Sequence, residues 1–405
     1  MIKDKQYYKF CLYGFLKNLR FFEPFFILFF LSKDLTFLQI GTLYATREIA
    51  INLFEIPSGI IADTLGRRKT LASSFMVYIL AFIIFYGSSN FGLFILAMLF
   101  YALGDAIRSG INKAMIVDYL KRTGQQAHKI KYYGHTRSWS QFGSALSSLA
   151  GGILYFFNQN LDTIFLFSII PYVLDFANVL TYPKYLDKSA SESRSVMKDF
   201  REISASFLQS LKNSSLLKAL INSSIYSGYY KSIKDFIQPF LKTLVIQLPF
   251  LLFLNNEEKT AILLGAIYFL IFIGNSVASR KTAVIADKFK SAHSYLNKTL
   301  VVGIFLGLIS GLIMQFYISV WAILLFIIIL LIENARKPAG IVVITDHSDE
   351  RIHAGVLSVT SQIRSGFSAL FVLAIGLFAD IYGVGAGIVI VSGMMLVTLP
   401  FYKLK

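Results

Sequence analysis

Gly59-Ile60-Ile61-Ala62-Asp63-Thr64-Leu65-Gly66-Arg67-Arg68-Lys69 lies between two long apolar segments. A small residue closes one membrane helix, an Asp follows at the water boundary, and a Gly turn leads into three adjacent cations. Cations are costly in hydrocarbon and favour the cytoplasmic side, so the run fixes the topology of both neighbouring helices. Asp63 is placed to cap the incoming helix or to pair with an Arg, giving a polar clasp at the membrane face. Such a clasp is expected to stabilise one access state, so Asp63→Asn should disturb conformational cycling more than substrate binding.

The rest of the chain agrees. It has 405 residues, 55% of them hydrophobic, and a mean hydropathy of +0.61. That is too apolar for a soluble protein. Segments of about 20 apolar residues, long enough to cross a bilayer, recur at 10–31, 38–62, 70–89, 92–120, 134–157, 161–182, 216–243, 260–279, 296–315, 317–345, 355–379 and 383–402. Twelve transmembrane helices are therefore expected in an all-α membrane protein. The first apolar segment is a full span behind the short basic stretch Met1–Lys9, so no cleaved leader is expected.

The net charge of +16 is distributed in a telling way. Cations crowd alternate loops: Lys3, Lys5 and Lys9; Arg67 to Lys69; Lys121, Arg122, Lys129 and Lys131; the segment 184–218; Arg280, Lys281, Lys288 and Lys290; and Lys403 and Lys405. The loops between carry few. This alternation follows the positive-inside rule and places both termini in the cytoplasm of a cell membrane. Lipid, not nucleic acid, accounts for the charge. A single cysteine, Cys11, excludes an intramolecular disulfide.

One polar stretch, 183–215, divides the chain into bundles at 1–182 and 216–405. Within it Met197, Phe200, Ile203, Phe207 and Leu211 recur at helical spacing among charges. The pattern predicts an amphipathic helix on the inner membrane surface that tethers the bundles.

The two sides repeat each other. Gly14, Lys17, Arg20, Glu23, Pro24 and Phe25 of the first span match Gly228, Lys231, Lys234, Gln238, Pro239 and Phe240 of the seventh, with one residue inserted. Arg108 precedes Asp118 by the separation that puts Arg336 before Asp346. Ser144 to Gly152 in the fifth span mirrors Ser368 to Gly376 in the eleventh. Three matches in one order predict two pseudo-symmetric six-helix bundles.

These residues resemble the major facilitator superfamily over nearly the whole chain. Gly59, Asp63, Gly66, Arg67, Arg68 and Lys69 fall where that family has its loop motif between the second and third helices; Thr64 departs from it. Ala283, Ala286, Asp287, Lys288 and Lys290 are a partial second copy. Gly143, Gly151 and Gly152 resemble the fifth-helix motif of the family's exporters, with Ser147 and Ser148 replacing its Gly-Pro pair. Arg108 sits at the family's fourth-helix Arg, with Asn112 where a Gly is usual. The resemblance implies the family's fold and alternating access, with spans one, four, seven and ten lining the path.

Those four spans also hold most of the intramembrane charges, each costing about 2.5–3.5 kcal/mol at mid-bilayer. Span one has Lys17, Arg20 and Glu23, spaced by three and so on one helical face. Span two has Arg47, Glu48, Asn52 and Glu55. Span four has Asp105, Arg108, Asn112 and Lys113, span seven Lys231, Lys234, Asp235 and Gln238, and span ten Glu333, Asn334, Arg336 and Lys337. Many of these should pair across helices. As substrate-path candidates we take Lys17, Arg20, Asn112, Lys113, Tyr230, Lys231, Lys234, Gln238, Asn334 and Arg336. Proton coupling needs a carboxylate whose surroundings alternate, since burial raises a carboxyl pKa and a nearby cation lowers it. Glu23, Asp235 and Glu48, with Arg108 as relay partner, are the candidates.

No phosphate-binding loop, Cys/His metal cluster or catalytic constellation is present in the sequence, so neither a cofactor nor catalysis is expected. Three readings remain. The first is a monomeric proton-coupled exporter of small organic molecules. The second is an importer of a polar or anionic nutrient, favoured by the basic pair Arg336-Lys337. The third is a transport-inactive sensor or scaffold, which should carry a soluble signalling domain that 405 residues leave no room for.

Overall fold

The computed structural model describes residues 2–187, 213–247, 253–317, 319–348 and 353–404. The side chains of Ile56, Gly59, Ile60, Asp63, Thr64, Leu65, Ile130, Ile246, Gln247, Ala283 and Ala354 lie outside that description, as does the amphipathic segment 197–211. The described residues are helical and contain no strand. The helices are α1 (Lys5–Leu16), α2 (Phe26–Leu31), α3 (Phe37–Leu65), α4 (Arg67–Gly87), α5 (Phe91–Arg122), α6 (Lys129–Asn158) and α7 (Thr163–Leu180). After the linker come α8 (Ser214–Ile233), α9 (Ile237–Gln247), α10 (Asn256–Arg280), α11 (Thr282–Ala286), α12 (Ala292–Phe316), α13 (Val320–Asp346), α14 (His353–Tyr382) and α15 (Val384–Tyr402).

With α1/α2 and α8/α9 each counted as one interrupted span, and α11 as an extension of α10, twelve spans result. Seven described helices are long and apolar enough to cross a membrane by length and composition alone: α4, α5, α7, α10, α12, α14 and α15. The other five spans are interrupted (α1/α2 and α8/α9), charge-bearing (α3 and α13) or rich in Ser and Gly (α6). Large apolar side chains point outward from many helices, among them Leu53, Phe157, Val397 and Phe401. In a membrane protein that is the lipid-facing surface.

The interruptions refine the sequence reading. Lys17, Arg20 and Glu23 do not share one helical face, because residues 17–22 leave the helix and Glu23–Phe25 form a 3-10 turn. Proline explains the site: it has no N–H, and its ring collides with the carbonyl four residues earlier. In both spans the carbonyl four before Pro accepts instead from the residue just ahead of the Pro. Glu23 N donates to Arg20 O at 3.0 Å, and Gln238 N donates to Asp235 O at 3.0 Å. The repeated string thus folds into a repeated break.

Two compact units emerge. Unit 1 comprises Met1–Phe29, Ile49–Val196 and Glu257–Phe272; unit 2 comprises Phe30–Glu48, Met197–Asn256 and Ile273–Lys405. In unit 1, α1 lies on α6, and α4 lies on α5 and α7. In unit 2, α8 lies on α14, and α12 lies on α13 and α15. These are the same neighbours by repeat position. The glycines of the repeated string mark the first contact. A Cβ on Gly14 would meet Ser140 Oγ at 2.8 Å, and one on Gly228 would meet Phe367 Cβ at 2.7 Å. Each permits close approach of backbones.

Buried aromatic rings fill the centre of unit 1. Phe22, Phe82 and Phe85 all contact Phe165, and Phe29 meets it with ring centroids 4.6 Å apart. Helix starts are capped by the expected residue types: Asn90 accepts from Gly92 N, Asn213 from Ser215 N and Leu216 N, and Ser291 from Ser294 N. Within unit 2, Asp380 spans the first turn of α3, accepting from Phe37 N at 2.7 Å and Leu38 N at 2.9 Å.

Candidate functional site

The opening motif becomes a clasp at one end of unit 1, with partners the sequence did not reveal. Gly66 has φ +94° and precedes α4. Asp187, just after α7, occupies the N-terminus of α4. Its carbonyl accepts from Arg67 N at 2.9 Å and its Oδ1 from Arg68 N at 3.0 Å. Arg67 is ion-paired to Asp118 near the end of α5, and Arg68 donates to Tyr182 O at 3.1 Å. Lys69 is exposed. The clasp therefore ties α4 to α5 and α7. Asp187 acts as the cap; the side chain of Asp63 lies outside the described residues. A Cβ on Gly66 would fall 2.5 Å from Asp187 Oδ1. Gly66→Ala therefore combines a left-handed backbone with a displaced cap, and should cost about 1–3 kcal/mol. A lowered unfolding temperature of the purified protein checks it; an unchanged one would contradict the cap.

Deeper in unit 1 a charged network centres on Asp105 of α5. Its Oδ1 accepts from Arg108 Nη2 at 2.8 Å, Arg20 Nη2 at 3.2 Å and Tyr78 Oη at 2.5 Å. Arg108 Nε also donates to Tyr78 Oη at 3.0 Å, and Arg20 Nε to Tyr172 Oη at 3.2 Å. Tyr172 Oη donates on to Lys17 O at 3.2 Å, in the break of span one. One carboxylate thus serves two guanidiniums. Lys17 Nζ lies over the Tyr13 ring, 5.0 Å from its centroid. Asn112 is half-buried, and its Oδ1 has no partner among the described residues. Lys113 is exposed. Glu23 opens the 3-10 turn and is half-buried.

Unit 2 gathers a second cluster around the break of span seven. Lys231 Nζ donates to Glu48 Oε2 of α3 at 2.7 Å. Asp235 accepts from Tyr44 Oη at 3.1 Å and lies 3.8 Å from Lys234 Nζ. Glu48, Asp235 and Gln238 are buried, while Lys231, Lys234 and Tyr230 keep partial exposure. On α13, Ser227 Oγ of α8 donates to Glu333 Oε1 at 2.5 Å, and Asn334 Nδ2 bonds within its own helix to Leu330 O at 3.2 Å. Arg336 is buried among neutral acceptors: Leu296 O, Thr299 Oγ1 at 2.7 Å and Asn222 Oδ1 at 3.1 Å. Its guanidinium lies 4.7 Å from the Tyr226 ring centroid. Arg336 therefore fastens α13 to α8 and α12.

The equal spacing of Arg108–Asp118 and Arg336–Asp346 does not carry over to equal partners. Arg108 pairs with Asp105, three residues before it, whereas Arg336 bonds to Leu296 O, Thr299 and Asn222, and the corresponding Glu333 bonds to Ser227. Of the network residues, Asp105 could be found from its position one helical turn before Arg108. Tyr78, Tyr172 and Tyr44 had no such signal.

With fold and charges in place, the class follows: this chain is a multi-pass membrane protein built of apolar helices with buried charges between them. It belongs to the Major Facilitator Superfamily, whose profile matches residues 11–361. An MFS-type transporter of Bacillus subtilis (strain 168) named YxaM, described as uncharacterized, is 31% identical over 227 residues, 55% of each chain. The sucrose permease of Escherichia coli is 28% identical over 140 residues, 32% of this chain and 31% of the permease. The matches thus span about half or less of these curated relatives. The crystal structure of the nucleoside transporter NupG superposes with a TM-score of 0.76 at 13% identity, covering 98% of this chain and 97% of that one. That likeness is one of fold.

Proposed function

We propose that this chain is a secondary active transporter that exports a small organic molecule by alternating access, in exchange for protons. The Glu48–Lys231 bond at 2.7 Å carries the reading. It joins an intramembrane carboxylate to a lysine three residues before a helix break. A proton on Glu48 dissolves the pair. A cationic substrate group on Glu48 displaces Lys231 in the same way. Proton and substrate then compete for one carboxylate, as antiport requires. Asp235 at the same break and Glu23 at the equivalent break of span one are further proton carriers in this scheme, with Arg108 as relay partner. Lys17, Arg20, Asn112, Lys113, Tyr230, Lys234, Gln238 and Asn334 supply polar contacts along the path, and the two Pro-interrupted spans allow bending. The bundles 1–182 and 216–405 act as the rocking halves, tethered by 183–215. Charge alternation supports a cell-membrane location with both termini cytoplasmic, and the scheme needs a monomer only.

A second reading is import of an anionic nutrient. It draws on the pair of guanidiniums, Arg20 and Arg108, that share Asp105. Sucrose and nucleosides, named for the relatives above, are consistent with a small polar organic substrate in either direction. Proteoliposomes screened over a compound library under gradients of both signs separate the two. Accumulation driven by outward substrate–proton exchange supports export; uptake of an anion together with protons supports the second reading.

A further inference from the structure

Unit 2 contains a polar cavity of about 170 Å³, lined by Ser214, Ser215, Lys218, His293, His347 and Leu404. It sits where the start of α8, the start of α12, the end of α13 and the tail after α15 meet. Lys218 of α8, His293 of α12 and His347, just past α13, line it, and no carboxylate among the described residues does. Asp346, next to His347 in sequence, is exposed and outside the lining. The His293 and His347 rings touch, with centroids 5.3 Å apart. His347 Nδ1 lies 2.7 Å from Val343 O. A carbonyl only accepts, so this nitrogen carries hydrogen and Nε2 remains for a ligand. One wall is held in place: Asn297 bonds Leu404 through its N–H at 3.0 Å and its carbonyl at 2.7 Å.

We infer that this cavity binds a phosphate group. Lys218, the two serine hydroxyls and an imidazole N–H of His293 offer donors to several oxygens of one tetrahedral anion, and His347 Nε2, an acceptor in the neutral ring, suits the hydroxyl of a protonated phosphate oxygen. Asn213 already occupies the N–H groups of Ser215 and Leu216. Recognition therefore rests on side chains, and the dipole of the 20-residue α8 only adds a favourable field. The volume suits one phosphate group rather than a nucleotide. Lys218 precedes Lys231 by about 20 Å along α8, so this site is distinct from the Glu48–Lys231 pair and does not depend on the coupling scheme. The phosphate can belong to a lipid headgroup at the membrane boundary or to a soluble anion.

The test uses the full-length protein in nanodiscs. Inorganic phosphate is titrated calorimetrically into phosphatidylcholine discs, and thermal stability is compared between phosphatidylcholine discs with and without phosphatidic acid. K218Q and H293N are made separately, so that a folding failure in one leaves the other informative; unchanged size-exclusion behaviour verifies folding. Saturable phosphate binding, weakened tenfold or more in a folded variant, supports a soluble anion site. Stabilisation by phosphatidic acid alone, lost in a folded variant, supports a headgroup site. No response to either probe, or a response equal in wild type and both variants, overturns the inference.

Discussion

Asp105→Asn should destabilise the protein by about 3–5 kcal/mol, the largest single effect expected in unit 1. Asp105 is buried and its Oδ1 receives Arg108 at 2.8 Å, Arg20 at 3.2 Å and Tyr78 at 2.5 Å. The amide keeps the shape but removes the carboxylate that both guanidiniums share. Two cations then face each other in a low-dielectric interior. Tyr78→Phe is the control. It removes one donor to a charged acceptor and leaves the ion pairs, so it should cost about 1.5–3 kcal/mol. Unfolding of both purified variants in detergent gives the comparison. If Asp105→Asn loses no more stability than Tyr78→Phe, the network is not an electrostatic lock.

Glu48→Gln should lower the substrate accumulation ratio that a proton gradient sustains at least tenfold, about 1.4 kcal/mol or more of lost driving force per transported molecule, and should weaken substrate binding while removing the pH dependence of the exchange that remains. Gln keeps a hydrogen-bond acceptor for Lys231 but cannot titrate. In the coupling scheme proton and substrate contend for this carboxylate, so a residue that binds no proton cannot link one flux to the other. A purely structural role predicts a different pattern: an unstable protein, or residual exchange that keeps the wild-type pH dependence. Glu23→Gln and Asp235→Asn, assayed identically, rank the three carboxylates. A Glu48→Gln protein that still concentrates substrate moves the coupling role to one of them.

How much of this was legible in the sequence depended on whether a signal was local. The Gly66 turn and the paired strings at Gly14 and Gly228 are short-range patterns, and each corresponds to a feature of the fold. The proline breaks were half legible. Pro24 and Pro239 marked them, but the three-residue spacing of Lys17, Arg20 and Glu23 looked like a helical face until the chain was seen to leave the helix at Lys17. Long-range partners were not legible. Asp187 lies far from Arg68 in sequence, in a polar stretch with no distinguishing motif. Tyr78 and Tyr172 are two of 22 tyrosines, so nothing in the string set apart the two that meet Arg108 and Arg20. Arg336 is the reverse case. Its position mirrors Arg108, yet Arg336 is met by Asn222, Thr299 and the Leu296 carbonyl where Arg108 is met by the Asp105 carboxylate, and the two guanidiniums bond differently.

Substrate-driven proton movement is the direct measure of proton coupling. Wild-type protein is reconstituted in proteoliposomes enclosing a pH-sensitive dye, with no imposed gradient, and the best-transported compound of a screened library is added outside. The account predicts that substrate entering the vesicles drives protons out, that an opposing pH gradient stops the flux, and that Glu48→Gln abolishes the pH signal. Substrate flux with no pH change, unaffected by collapsing the proton gradient, would contradict it.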